Sequence, residues 1–209
     1  IAAGAALLWL PRAVAAGRID SVWYVDLATA SPGFAVAAFV LGALLLWPVR
    51  DDATNLRRLS AVSIVALALV YGLFAQTLWP RFDLAPAAHR IAALERAGVP
   101  LAHLDIYQNQ FRFLGRLERP ITAFLPGQGH DWAAAHPDGR VIRYVKTLSK
   151  DDLIDADLVQ PFRSDWLVIE RAGSWLARER GEAIAPPATP AELFPHGYWP
   201  YRALGVDAR

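Results

Sequence analysis

Apolar and polar positions divide the chain in two. Before Pro80 the apolar residues run in long stretches, and after it they come in short groups broken by charge. The stretch from Phe34 to Val49 has no charged residue and extends back to Pro32; the stretch from Leu59 to Trp79 has only Ser60, Ser63, Gln76 and Thr77 as polar members. Crossing the roughly 30 Å apolar core of a bilayer takes about 20 residues at about 1.5 Å each. The pattern therefore predicts spans over about 32–49 and 59–79. Ile1 to Leu10 is expected to be the end of another span that starts upstream, since the chain begins inside an apolar run without Met or a basic flank. Buried helices of a soluble protein are the competing reading. Two such runs back to back around one short polar hinge weigh against it.

Beyond Pro80 the period shortens. Pro86 to Ala97 has the spacing of an amphipathic helix, with Pro in its first turn and Gly98 past its end. Strands are expected at Leu101 to Tyr107, Ile121 to Leu125, Arg140 to Thr147 and Asp165 to Arg171, from short apolar or alternating runs. Helices are expected at Asn109 to Leu117, Asp131 to His136, Asp151 to Leu158 and Ser174 to Arg180, the last with Ser174 as N-cap. The Pro- and aromatic-rich remainder to Arg209 reads as irregular. The expected architecture is a set of transmembrane helices (1–79) followed by a small three-layer α/β domain with a mixed sheet (80–209). The strand order is not legible.

Charge sets the expected orientation. Arg50, Arg57 and Arg58 crowd the hinge 50–58, whereas the longer loop from Pro11 to Gly33 carries Arg12 and Arg18. The positive-inside rule puts the hinge in the cytoplasm and residues 80–209 outside, in the periplasm of a bacterial cell. Trp47 and Trp79 stand at span ends, where an indole prefers the headgroup layer; Trp9, Trp23 and Tyr24 are expected to do the same near the outer face.

Composition narrows the chemistry. With no Cys, disulfides and thiolate metal sites are excluded, and a net charge of +1 gives no reason to expect nucleic acid as a partner. Neither a dinucleotide fingerprint nor a phosphate loop occurs, and His89, His103, His130, His136 and His196 are scattered, so no cofactor or metal is expected. Asp151, Asp152, Asp155 and Asp157 lack the alternation of a Ca²⁺ loop and read as an exposed helix face. The segment from Tyr107 to Arg116 stands apart, packing amides, two guanidiniums and three aromatic rings into one strand-to-helix turn. Such groups suit a sugar ring or a phosphate. They equally suit a helix that lays Phe111 and Leu114 on the sheet and points Arg112 and Arg116 at water or lipid headgroups.

Apolar spans, a strand ending in Tyr107, Phe113-Leu114-Gly115-Arg116, Arg119-Pro120-Ile121 and the run Phe162 to Glu170 together resemble the C-terminal end of bacterial GT-C membrane glycosyltransferases. Within that group the likeness is to 4-amino-4-deoxy-L-arabinose lipid A transferases and protein O-mannosyltransferases. The resemblance implies a multi-pass inner-membrane enzyme that modifies lipid A or another envelope glycan. Its partners would be the bilayer, a polyprenyl-phosphate-linked sugar donor, an acceptor of unknown kind, and the upstream membrane region of the same polypeptide. It also implies that the catalytic acids lie upstream, so that no catalytic residue is expected in this chain. Tyr107, Gln110, Arg112 and Arg116 are the positions expected to face the substrate. The alternative is a non-catalytic, membrane-tethered periplasmic domain for binding or assembly.

Overall fold

The computed structural model describes residues 1–19, 22–149 and 151–182; the expected irregular tail lies outside them. The chain forms two units, Ile1–Phe82 and Asp83–Arg209, where the sequence pattern divides at Trp79/Pro80.

The first unit is helical: α1 (Ala2–Ala15), α2 (Val22–Leu27), α3 (Pro32–Leu46) and α4 (Asp52–Thr77), closed by a 3-10 turn, Trp79–Arg81. Among the described residues, α4 alone has the length and apolar composition to cross a membrane; α1 and α3 are shorter apolar helices. The expected span 32–49 is cut short because the chain extends at Trp47, just before Pro48. The expected hinge 50–58 is largely helix. Asp51 caps α4 by accepting from the Thr54 amide at 2.7 Å, which starts the helix two turns early and draws Arg57 and Arg58 into it. Arg58 donates to the carbonyls of Leu44 and Trp47, satisfying groups that α3 leaves open at its end. Where α1 meets α3 the backbones approach closely: a Cβ on Gly4 would sit 2.9 Å from the Ala35 carbonyl oxygen. Asp26 and Arg81 form a buried ion pair between α2 and the 3-10 turn. The Trp23 ring lies over Phe82 with ring centroids 6.0 Å apart.

The second unit runs α5 (Ala85–Arg96), β1 (Leu101–Leu104), α6 (Gln110–Gly115), β2 (Thr122–Phe124), α7 (His130–Ala135), β3 (Arg140–Val145), β4 (Ala156–Phe162), β5 (Asp165–Arg171) and α8 (Ala172–Glu179). The five strands make one mixed sheet in the order β2-β1-β3-β5-β4. β1 is parallel to both β2 and β3, while the pairs β3–β5 and β5–β4 are antiparallel. Strand alternation sends Ile142, Leu167 and Ile169 into one core with Ala88, Ile91 and Leu94 of α5 and Phe111 of α6. It sends Ala102 and Val141 the other way, against Ala133 of α7 and Trp175 and Leu176 of α8. This is the expected three-layer arrangement, and each large apolar side chain buried in it contributes about 1.5–3 kcal/mol.

The expected helix 151–158 is absent. A 3-10 turn, Asp151–Leu153, leads directly into β4. β4 is an edge strand containing Pro161, and a register shift between Ala156 and Leu158 breaks its alternation. An edge position tolerates the missing proline donor. α8 begins at Ala172, so Ser174 caps nothing; its hydroxyl donates to Asp155 at 2.6 Å.

Candidate functional site

Alternation along β1 turns Ala102 toward α7 and α8 and His103 toward α5 and α6. The chain then leaves the sheet and reaches α6 through Asn109, which takes a left-handed conformation (φ 58°). That turn folds Tyr107 and Phe111 back over β1. Their rings stack at 6.1 Å and 17°, and the His103 imidazole lies 5.3 Å from Tyr107 and 5.6 Å from Tyr144 of β3. Phe162 closes the row, 5.3 Å from Tyr144. Gln110 links loop to strand: its carbonyl oxygen accepts from the Gln108 amide at 2.8 Å, and its amide donates to the Tyr144 hydroxyl at 3.2 Å.

His103 is fully buried. Its Nδ1 stands 3.0 Å from the Asp105 carbonyl oxygen, a contact that needs the proton on Nδ1. Nε2 is then a bare acceptor, and it has no hydrogen-bond partner. Burial holds the imidazole pKa below its ordinary value, against the opposing bond to Asp105. Burial raises the phenols of Tyr107 and Tyr144, opposed by the charge of Arg112 at the first and by the bond from Gln110 at the second. The cluster is thus neutral near pH 7; His103 and Phe111 are buried beneath it, while the half-buried Tyr107, Gln110 and Tyr144 bring a ring, a phenol and an amide to the surface. Those groups can hold a hydroxylated ring.

Its place in the sheet matters as well. The β1-to-β2 connection carries α6 on one face, and the β2-to-β3 connection carries α7 on the other, so the chain switches sides around β1. The cluster lies toward the carboxyl ends of β1 and β3, where open α/β sheets bind ligands.

The four expected site residues do not converge. Tyr107 and Gln110 enter the cluster; Arg112 and Arg116 are exposed. Arg116, itself left-handed (φ 51°), lines a separate groove of about 590 Å³ between α5 and the turn after α6, with Arg96, Arg119 and Glu95. Phe111 is laid on the sheet as expected, but Leu114 is 43 % exposed. Sequence reasoning passed over His103 and Tyr144. The signal was their position in short strands, two residues after Leu101 and Ile142 and hence on the same faces.

On the opposite face a second polar cluster is fully paired. Glu170, 1 % exposed, accepts from Arg143 at 2.5 Å and from Arg178 at 2.5 and 2.6 Å. Asp152 accepts from Arg143 and from the Ser149 amide and hydroxyl. Burial raises its carboxyl pKa, but the bonds from Ser149 and Arg143 outweigh that and leave it below the ordinary value. Asp157, on the edge strand toward α5, pairs with Arg90 and Arg140. The acids at 152–157 are therefore structural counter-ions rather than an exposed helix face. Among the described residues no group of His, Asp and Glu is placed to hold a metal ion. Comparison with family models, with curated proteins and with solved structures gives no match.

Proposed function

We propose that this chain is the C-terminal portion of an integral-membrane glycosyltransferase of GT-C type. It would anchor in the bacterial inner membrane and place its α/β unit on the periplasmic side. The parent enzyme would transfer a sugar from a polyprenyl-phosphate donor to a lipid, glycan or protein acceptor, with its catalytic acids upstream. The observation that carries this reading is the neutral cluster of His103, Tyr107, Gln110 and Tyr144 at the carboxyl ends of parallel strands, of a chemistry suited to a sugar ring. The sequence resemblance supports it. So does the first unit, where Ile64 and Leu67 of α4 are 70 % and 72 % exposed, a face compatible with lipid and costly in water.

In this reading the α/β unit is a wall of the sugar site. Tyr107, backed by the buried Phe111, offers a ring face, and Gln110 and Tyr144 offer hydrogen bonds that fix the orientation of the sugar. The test is transfer by the full-length parent enzyme in membranes, from a polyprenyl-phosphate-linked sugar. Gln110→Ala is expected to lower kcat/KM about tenfold, the loss of roughly 1.4 kcal/mol of binding, with membrane insertion unchanged. Full transfer activity in Gln110→Ala and Tyr107→Leu would remove the cluster from the site and leave a tethered binding domain.

A further inference from the structure

The arginines of the second unit fall into two groups. Arg143 and Arg178, over the face covered by α7 and α8, and Arg140, at the start of the central strand β3, are each bound to carboxylates. Around α6 the pattern reverses. Arg112 and Arg116 carry no acidic partner among the described residues, and Arg96 and Arg119 reach only backbone carbonyls, those of Ala92 at 3.3 Å and Glu95 at 3.4 Å. Glu95 forms no ion pair with them: its carboxylate keeps its charge but is turned to the amides of Glu118 and Arg119, the latter at 2.7 Å. Four arginines against Glu95 and Glu118 leave this surface cationic. In its midst the side chain of Phe113 is 87 % exposed, next to the half-exposed Leu114.

An aromatic ring left in water costs free energy unless something covers it. Arginines with spare donors, carried on the same short helix and following turn as a protruding phenylalanine, match one kind of cover: an interface with phosphates at the rim and hydrocarbon beneath. We propose that the α6 surface docks on anionic phospholipid, with Phe113 and Leu114 entering the acyl boundary and Arg112, Arg116 and Arg119 binding headgroup phosphates. This rests on the membrane anchor proposed above. It gives the outer α/β unit a second hold on the bilayer, independent of the helices.

The chain has no Cys, so a single introduced thiol can be labelled without background. The full chain carrying Phe113→Cys with an environment-sensitive fluorophore is placed in nanodiscs of phosphatidylcholine, with or without phosphatidylglycerol, containing a lipid spin quencher near the headgroup. The label is expected to be quenched and blue-shifted in phosphatidylglycerol discs. A label at Asp138→Cys, where the native side chain is 92 % exposed, stays unquenched. Replacing Arg112, Arg116 and Arg119 together by Gln should lower the quenching at 113 to the level at 138. Labelling at Leu114→Cys repeats the measurement without altering Phe113. Quenching at 113 and 114 no greater than at 138 overturns the proposal, as does quenching indifferent to lipid charge and to the arginines; cover by the chain's own residues or by a protein partner would give the first result. A label at Leu67→Cys, in the middle of α4 and read by its emission shift, separates the two ideas. Blue-shifted there but unquenched at 113, the anchor stands and the docking fails; unshifted there, the anchor itself fails.

Discussion

His103 shows how a single residue can set a pH limit on the fold. Its imidazole is buried among Tyr107, Phe111 and Tyr144, bonds Asp105 through Nδ1 and leaves Nε2 with no partner. Burial lowers its folded pKa, so the unfolded chain binds the proton more readily. Stability from this group is complete above the unfolded value of about 6.5 and is lost as pH falls through the depressed folded value. Asp152 titrates in a lower window, since its unfolded value is near 3.8 and its folded value is lower still. Thermal unfolding of the full chain in detergent should therefore show Tm falling between pH 7 and pH 5. His103→Phe, which adds no charge between the rings, should flatten that slope; an unchanged slope would assign it to other groups. Little of this was legible beforehand. One His among five carries no mark in sequence, and only the pairing of β1 with β3 brings Tyr144 beside it. The Tyr107-to-Arg116 segment was legible as a site of unusual chemistry, but not its split, because Asn109 and Arg116 both turn left-handed and aim the two ends differently.

At the scale of elements, strong periodicity was readable and local competition was not. α5, with its Pro and Gly punctuation, and β5, with its apolar centre, fall within a residue or two of where the pattern puts them. β4 was hidden because Pro161 and a bulge spoil its alternation, and because its acids look helical until their arginine partners on β3 and α5 are in place. α4 starts early because one carboxylate, Asp51, outbids the polar character of the hinge. The contact of α5 with α6 depends on a residue that the sequence marks only as flexible. A Cβ on Gly115 would lie 2.8 Å from the Ala88 carbonyl oxygen and 3.1 Å from Leu117 Cδ2. Backbone cannot move aside as a side-chain tip can, so Gly115→Ala must push the helices apart. The expected cost is about 1–3 kcal/mol, read as a lower denaturation midpoint by the fluorescence of Trp132, Trp166 and Trp175 in the purified chain. A midpoint within a few tenths of a kcal/mol of wild type would mean that α6 shifts freely on α5.

For the whole molecule the open quantity is which side of the bilayer the proposed anchor gives to the α/β unit, and charge at the two ends of α4 decides it. One end holds Arg50, Arg57 and Arg58. Arg58 is bound to α3 carbonyls and to Asn55, which fixes its place but leaves its charge. At the other end Arg81 is the one basic residue close to the helix, and acidic residues such as Asp51, Asp52 and Asp26 weigh little in retention. The asymmetry at α4 is therefore larger than residue counts over whole loops suggest, and it favours retention of the Arg50 end in the cytoplasm. With no native Cys, Asp138→Cys and Ala53→Cys report the two sides through a membrane-impermeant maleimide. In intact spheroplasts the thiol at 138 should react and the thiol at 53 should react only after lysis. Replacing Arg50 and Arg57 by Gln while keeping Arg58 for the α3 carbonyls should then give mixed labelling, since the helix ends become nearly equal in charge. Reaction at 53 and not at 138 in intact cells would place the α/β unit in the cytoplasm, away from any donor sugar on the outer face, and the glycosyltransferase reading would fall with it.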